Sequence, residues 1–180
     1  MNRREFSIQT AATLGAGSLL WSAPAGAQGG PVEGTHYVRL NEPAPVSAPA
    51  GKVEVVEFFW YGCPHCYQFE PIMQSVEHKL PEGTSFKKMH VDFLRAASPE
   101  LQEALTRAYV IADFQQQGDK IAMAFFNRIH RDRAGFANAD DIRQLMLIND
   151  FDAATYDKAL KSFSVTSAVK QMKKEQTELS

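Results

Sequence analysis

Val53-Glu54-Val55-Val56-Glu57-Phe58-Phe59, then Trp60-Tyr61-Gly62, then Cys63-Pro64-His65-Cys66, is the stretch on which the fold of this chain turns. The first seven residues are nearly all apolar and rich in β-branched and aromatic types. They predict a strand buried on both faces, as in a central parallel sheet. Helix-like sequence begins at Pro64, a residue suited to the first helical turn, where its missing N–H costs nothing. Cys63 and Cys66 are the only two cysteines of the chain. A disulfide across so short a loop constrains the unfolded chain little, so architecture alone does not favour it. A helix N-terminus, in contrast, offers unpaired N–H groups and positive potential that favour a thiolate. The alternatives are a structural bridge and half of a metal site. A four-ligand zinc site needs two further partners at matching spacing, and His78 and His90 stand isolated. The pair reads as a redox dithiol, with no metal and no cofactor expected.

Outward from this point, Tyr67, Ile72, Met73, Val76 and Leu80 recur at helical spacing until Pro81 and Gly83, and Pro71 falls mid-helix, where it removes one hydrogen bond and predicts a kink. Phe86 to Phe93 predicts a second strand with Phe86, Met89, Val91 and Phe93 available for burial, which completes a βαβ unit. The pattern changes at Ser98, where Ser98-Pro99-Glu100 is a helix start followed by Leu101, Ala104, Leu105 and Ala108 on one face. A further helix carries Ile121, Phe125 and Ile129. Asn138 caps the next, with Ile142, Leu145 and Met146, and Asp152 caps another, with Tyr156 and Leu160. The last shows Val165, Ala168, Val169 and Met172. These stripes read as core rather than as cofactor contacts. Half of an α/β domain is thus followed by a four-helix lobe.

The 180 residues are 44% hydrophobic, enough for one core and a second lobe. Arg3-Arg4-Glu5-Phe6, the apolar run from Ala11 to Ala23 and Ala25-Gly26-Ala27 have the order of a signal peptide, too short to span a bilayer. The paired arginines fit a twin-arginine export signal; an ordinary secretory signal is the alternative. The net charge of −2 becomes −3 once Arg3, Arg4 and Glu5 leave with such a leader. That balance argues against nucleic acid and against electrostatic attachment to an anionic membrane. Export would place the dithiol in an oxidising, periplasmic compartment, where a catalytic disulfide persists. Residues 28–50, with Pro31, Pro43, Pro45 and Pro49, predict a linker interrupted by a short strand, His36-Tyr37-Val38-Arg39-Leu40.

Phe58 to Tyr67, continued by Gln68-Phe69-Glu70-Pro71 and by His90-Val91-Asp92-Phe93, resembles the DsbA family of thiol–disulfide oxidoreductases. The resemblance covers essentially all of 53–180. It implies an α/β, thioredoxin-like fold with an inserted helical domain: signal peptide 1–27, linker 28–50, thioredoxin-like βαβ half 51–97, helical insertion 98–162, and a helix over 163–180 returning to the thioredoxin-like part. The family's fold closes with a cis-proline, an antiparallel hairpin and a final helix. No proline follows Pro99 here, so the expectation is a fold that is C-terminally incomplete.

The position of Cys63 just before the helix makes it the expected nucleophile, and Cys66, one turn in and more buried, the expected resolving thiol. His65 between them would favour the Cys63 thiolate as an imidazolium or a donor. Pro64 shapes the dipeptide. Glu57 interrupts an apolar strand and lies either at a wet strand edge or buried with a raised pKa. The resemblance implies that an acid at this position lies beneath the dithiol with a base from the next strand, matched by Lys88, and gives Glu57 a proton-transfer or electrostatic role. Glu70 and Lys88 are expected as a surface pair of little weight. By the same resemblance the chain is expected to be a monomer that donates the Cys63–Cys66 disulfide to reduced, unfolded exported proteins and is reoxidised by a DsbB-like membrane partner. The competing readings are a disulfide reductase or isomerase, and a truncated, non-catalytic peptide-binding product.

Overall fold

A computed structural model of the chain describes residues 30–42, 47–94 and 97–178. The signal peptide expected at 1–27 lies outside them. The chain divides into two compact units, 1–42 and 43–180. In the described part of the first, the strand expected at 36–40 does not form. The segment closes on itself instead: the Gly34 N–H donates to the Tyr37 carbonyl at 2.7 Å, and Glu33 and Tyr37 make an isolated bridge. A lone extended segment has no neighbour for its backbone groups, so local turn bonds win. Gly34, at φ +80°, permits that turn.

The second unit begins with β1 (Val53–Phe59), α1 (Pro64–Glu77) and β2 (Thr84–His90). The strands pair in parallel, with Val53 opposite Thr84, Glu57 opposite Lys88 and Phe59 opposite His90. The expected βαβ unit is there, with two corrections. The second strand ends at His90, not Phe93: the Val91 N–H donates to the Phe59 carbonyl at 2.9 Å as the last rung, because β1 turns away at Trp60. Phe93 is therefore exposed. Nor is β1 buried on both faces. Val53 is 61% and Phe58 41% exposed, because the core reaches β1 only at Phe59 and Val56. The apolar stripe of α1 is corrected in the same way. Met73 is buried, but Ile72 and Val76 are exposed, since α1 packs on the core through Cys66 and Tyr67. The helix runs through Pro71, which leaves the Tyr67 carbonyl without its intrahelical donor.

Among the described residues, five further α-helices follow: α2 (Pro99–Phe114), α3 (Gly118–Phe126), α4 (Ala139–Ile148), α5 (Ala153–Leu160) and α6 (Phe163–Glu178). The expected caps are in place. Ser98 Oγ accepts from the Leu101 N–H at 3.2 Å, Asn138 Oδ1 from Asp140 and Asp141 at 2.9 and 3.1 Å, and Asp152 Oδ1 from Thr155 at 2.8 Å. The α2 helix is the centre of the lobe, buried from Leu105 to Ala112 except at Arg107. Ile129, expected on a regular helix, lies instead in a π turn, Asn127–Arg131, that follows α3 directly. The last helix returns to the strands: Gln176 Nε2 donates to the His90 carbonyl at 2.8 Å, and Glu175 bonds Lys87.

Strands and lobe share one aromatic seam. Phe59 meets Tyr61 and Tyr109 edge-on at 5.2 and 5.3 Å, and Tyr61 stacks on Phe125 at 4.9 Å. Such contacts add to area burial and fix the lobe against the end of β1 where the dithiol loop begins.

Candidate redox site

Cys63 is the N-cap residue of α1, with φ −86° and ψ 116°, and Pro64 occupies the first helical turn. The extended cap conformation turns Sγ back over the helix start, where it accepts from the Cys66 N–H at 3.4 Å. The loop that delivers it is a tight turn, closed by the Cys63 N–H donating to the Trp60 carbonyl at 3.0 Å. A Cβ at Gly62 would lie 2.4 Å from the Trp60 ring, so a larger residue there would need that ring to move. Both cysteines are half-buried free thiols.

Their environments push them apart. Burial raises Cys63, but the Cys66 N–H, the Cys66 thiol and the His65 backbone N–H together outweigh it and leave the thiol below its ordinary value. Burial pushes Cys66 up to about 11, and the Cys63 sulfur and the Glu57 carboxylate push in the same direction. His65 is exposed, and the group that it brings to Cys63 is its backbone N–H. Pro64 is exposed beside it.

The Glu57 carboxylate acts on the Cys66 thiol. Both line an apolar groove of 450 Å³ with Phe58, His65, Gln68, Phe69 and Ile72. Of the two environments left open for Glu57, the structure shows the buried one. Burial raises its pKa, Lys88 opposes and Glu70 adds to the rise. Lys88 Nζ stands 3.8 Å from Glu57 Oε2 and bonds Glu70 Oε1 directly. The expectation of a surface Glu70–Lys88 pair is corrected. Glu70 is fully buried on the inner side of α1 and Lys88 nearly so, because the register places Lys88 under the helix. Gln74 Nε2 also donates to Glu70 Oε1, at 3.3 Å. Breaking such a buried set leaves carboxylates without a counter-charge. Lys88→Met is expected to lower stability by about 3 kcal/mol near neutral pH. The loss should shrink in acid, as the stranded carboxyls protonate. Urea unfolding at two pH values checks it, and an equal loss at both would argue against the electrostatic cause.

His130 and Asn127 were not legible as site residues. They lie far from the cysteines in sequence, on no motif, and only the π turn brings them to α1. His130 Nε2 donates to the Tyr61 carbonyl at 2.8 Å, and Tyr67 Oη donates to Asn127 Oδ1 at 3.0 Å.

Residues 54–180 match the family model of the DSBA-like thioredoxin domain. The chain belongs to the DSBA-like family. The thioredoxin-like α/β fold with inserted helices, implied by the resemblance, is borne out. Among curated relatives, the thiol:disulfide interchange protein DsbA of Burkholderia cepacia is 34% identical over 144 residues, covering 80% of this chain and 66% of the relative. The Azotobacter vinelandii protein of the same name is 36% identical over 141 residues, covering 78% and 63%. The DSBA-like chain thus spans about two thirds of the length of these relatives. Among solved structures, Proteus mirabilis DsbA, as a cysteine-to-serine variant with a non-covalently bound peptide PWATCDS, superposes with a TM-score of 0.65 at 35% identity, covering 78% of this chain and 72% of that one. Pseudomonas aeruginosa DsbA gives 0.66 at 28% identity, covering 76% and 68%.

Proposed function

We propose that this chain is a thiol–disulfide oxidoreductase that donates the Cys63–Cys66 disulfide to reduced exported proteins. The observation that carries the reading is the opposed tuning of the two sulfurs, one held as an N-cap acceptor and lowered, the other buried and raised. A substrate thiolate attacks Cys63 Sγ, the S–S bond breaks, and Cys66 leaves with the electron pair and takes up a proton. A second substrate thiolate then attacks the substrate sulfur of the mixed disulfide, and Cys63 departs as a thiolate. Two electrons pass from substrate to protein, and the substrate gains one disulfide. Stabilising the departing Cys63 thiolate favours this direction over reduction.

Glu57, with its raised pKa and its place on the same groove as Cys66, is suited to hold the proton that Cys66 takes up. His65 contributes its backbone N–H and stands at the groove rim; Pro64 keeps the first turn short. The peptide bound to the Proteus mirabilis relative supports cysteine-bearing polypeptide as the substrate class. A monomer in the periplasm, exported by the N-terminal leader and reoxidised by a DsbB-like membrane oxidase, completes the cycle. The proposed division is a βαβ half over 51–97, a helical insertion over 98–162 and a returning helix from 163.

Oxidised protein mixed with a reduced two-cysteine peptide is expected to transfer one disulfide per molecule. A protein that stays oxidised while the peptide stays reduced would rule the reading out. In the reduced protein, alkylation of Cys63 should rise through a pH below that of a free thiol, while Cys66 should resist until the pH approaches about 11. Mass mapping of the alkylated cysteine at each pH reads both, and parallel profiles would remove the basis for assigning two roles.

A further inference from the structure

One turn of the helical lobe grips the chain on both sides of the dithiol. Asn127–Arg131 is a π turn, closed by the Asp132 N–H donating to the Asn127 carbonyl at 2.9 Å. Such turns displace side chains from the regular helical path, and they recur at functional sites. Here the turn carries His130 to Tyr61 and to the ring of Tyr67, while Asn127, its first residue, meets the Tyr67 hydroxyl. Because a carbonyl can only accept, His130 Nε2 carries the proton in its 2.8 Å bond to Tyr61 O, two positions before Cys63. The same imidazole lies flat on the ring of Tyr67, the residue after Cys66, at 5.2 Å and 12°. The Tyr67 hydroxyl is in turn held by Asn127 at 3.0 Å.

The two gripped points are themselves anchored. The Tyr61 ring is fully buried between Phe125 and His90, and the Tyr67 ring meets Phe126 at 5.9 Å. Between them lie only Gly62 and the four residues of the motif. Among the contacts that favour the Cys63 thiolate is the 3.4 Å approach of the Cys66 N–H to its sulfur, so a small shift of the loop against the helix changes it.

We propose that His130, supported by Asn127, is a positioning residue for the redox chemistry: it clamps the segment from Tyr61 to Tyr67 so that Cys63 Sγ stays over the first-turn N–H groups of α1. The proposal rests on the redox reading of the dithiol and adds to it a part of the helical lobe outside the motif. The clamp acts on geometry and touches neither sulfur.

The test uses the full chain. His130→Phe keeps a flat ring on Tyr67 and removes the donor to Tyr61, while His130→Gln restores an N–H donor. Thiolate absorbance against pH and the equilibrium constant with glutathione are measured on each, with thermal unfolding alongside. In His130→Phe, the thiolate-to-thiol ratio of Cys63 at fixed pH and the equilibrium constant for oxidising glutathione are each expected to fall about three- to ten-fold, the worth of one hydrogen bond. His130→Gln should recover most of both. Tyr67→Phe, which removes one hydroxyl and is the milder change if His130→Phe does not fold, should shift both readouts the same way by a smaller factor. Folded variants with wild-type titration and equilibrium, differing only in melting temperature, would overturn the clamp. Wild-type protein that exchanges with glutathione, matched by an indistinguishable His130→Phe, defeats the clamp alone; wild-type protein that does not exchange at all defeats the redox reading beneath it.

Discussion

Replacing Cys63 with serine is expected to reduce disulfide transfer to the uncatalysed level, whereas Cys66→Ser should produce a protein that captures thiol substrates and holds them. The asymmetry follows from the N-cap. Cys63 Sγ is turned over the helix start and accepts the Cys66 N–H, so it is the sulfur that best carries negative charge as the bond to substrate breaks. Cys66 is raised to about 11 and is a poor thiolate at neutral pH. On the proposed reading, its work is to leave, take up a proton, and return to the Cys63 sulfur when a mixed disulfide must be resolved. With Cys66 gone, the Cys63–substrate disulfide has no internal partner to release it and should accumulate. The measurement is a gel shift under non-reducing conditions after mixing each variant with an activated disulfide of a cysteine peptide. If Cys63→Ser accumulated adduct through Cys66 as readily, the roles would have to be exchanged.

Acid is expected to unfold the protein through His90. This residue ends β2 and is fully buried against Phe59 and Tyr61, with ring centroids 5.4 and 4.8 Å away. Its Nδ1 lies 2.9 Å from Thr106 Oγ1, and that hydroxyl donates to the Gln102 carbonyl at 3.0 Å. The hydroxyl proton is thereby committed, so Nδ1 must be the donor and Nε2 holds a bare lone pair, with no hydrogen-bond partner among the described residues. Protonating Nε2 would bury an uncompensated cation. Burial accordingly drives the imidazole from 6.5 down to about 3. The sign follows from proton counting: below pH 6.5 the unfolded chain binds a proton that the folded chain refuses. The stability is full above that pH and is lost as pH falls toward 3, by up to about 5 kcal/mol. In His90→Phe, which has nothing to protonate, the urea midpoint should fall far less between pH 7 and pH 4 than in the wild type. Parallel losses in the two proteins would place the acid sensitivity elsewhere.

What could be read in advance was what is decided locally. Ser98, Asn138 and Asp152 cap helices because a side-chain oxygen reaches an N–H two or three residues on, and Cys63-Pro64 starts α1 for the same short-range reason. Burial was harder, because it depends on what stands opposite. Ile72 and Val76 have the spacing of a core stripe, yet the core meets α1 on the side of Cys66, Tyr67 and Met73. Glu70 and Lys88 look like solvated charges in any window of sequence. Only the parallel register and the crossover of α1 bring them together under the sheet end. The dithiol was legible because both sulfurs sit on one turn. His130 and Asn127 were not, because their approach to Tyr61 and Tyr67 depends on a π turn that no residue pattern announced.

The close approach at Gly62 also limits how this loop can diverge. With the Trp60 ring 2.4 Å from the place of a Cβ, bulk at position 62 and bulk at position 60 compete for one volume, so a larger residue at position 62 requires the Trp60 side chain to shift or shrink. Gly62→Ala alone should disturb the turn that presents Cys63, and Trp60→Ser alone should leave an unfilled space. A chain that makes both changes in opposite size can pass from one arrangement to the other, and the combined cost should be less than the sum of the two steps. Positions 60 and 62 thus form an epistatic pair, whose members trade volume rather than drift independently.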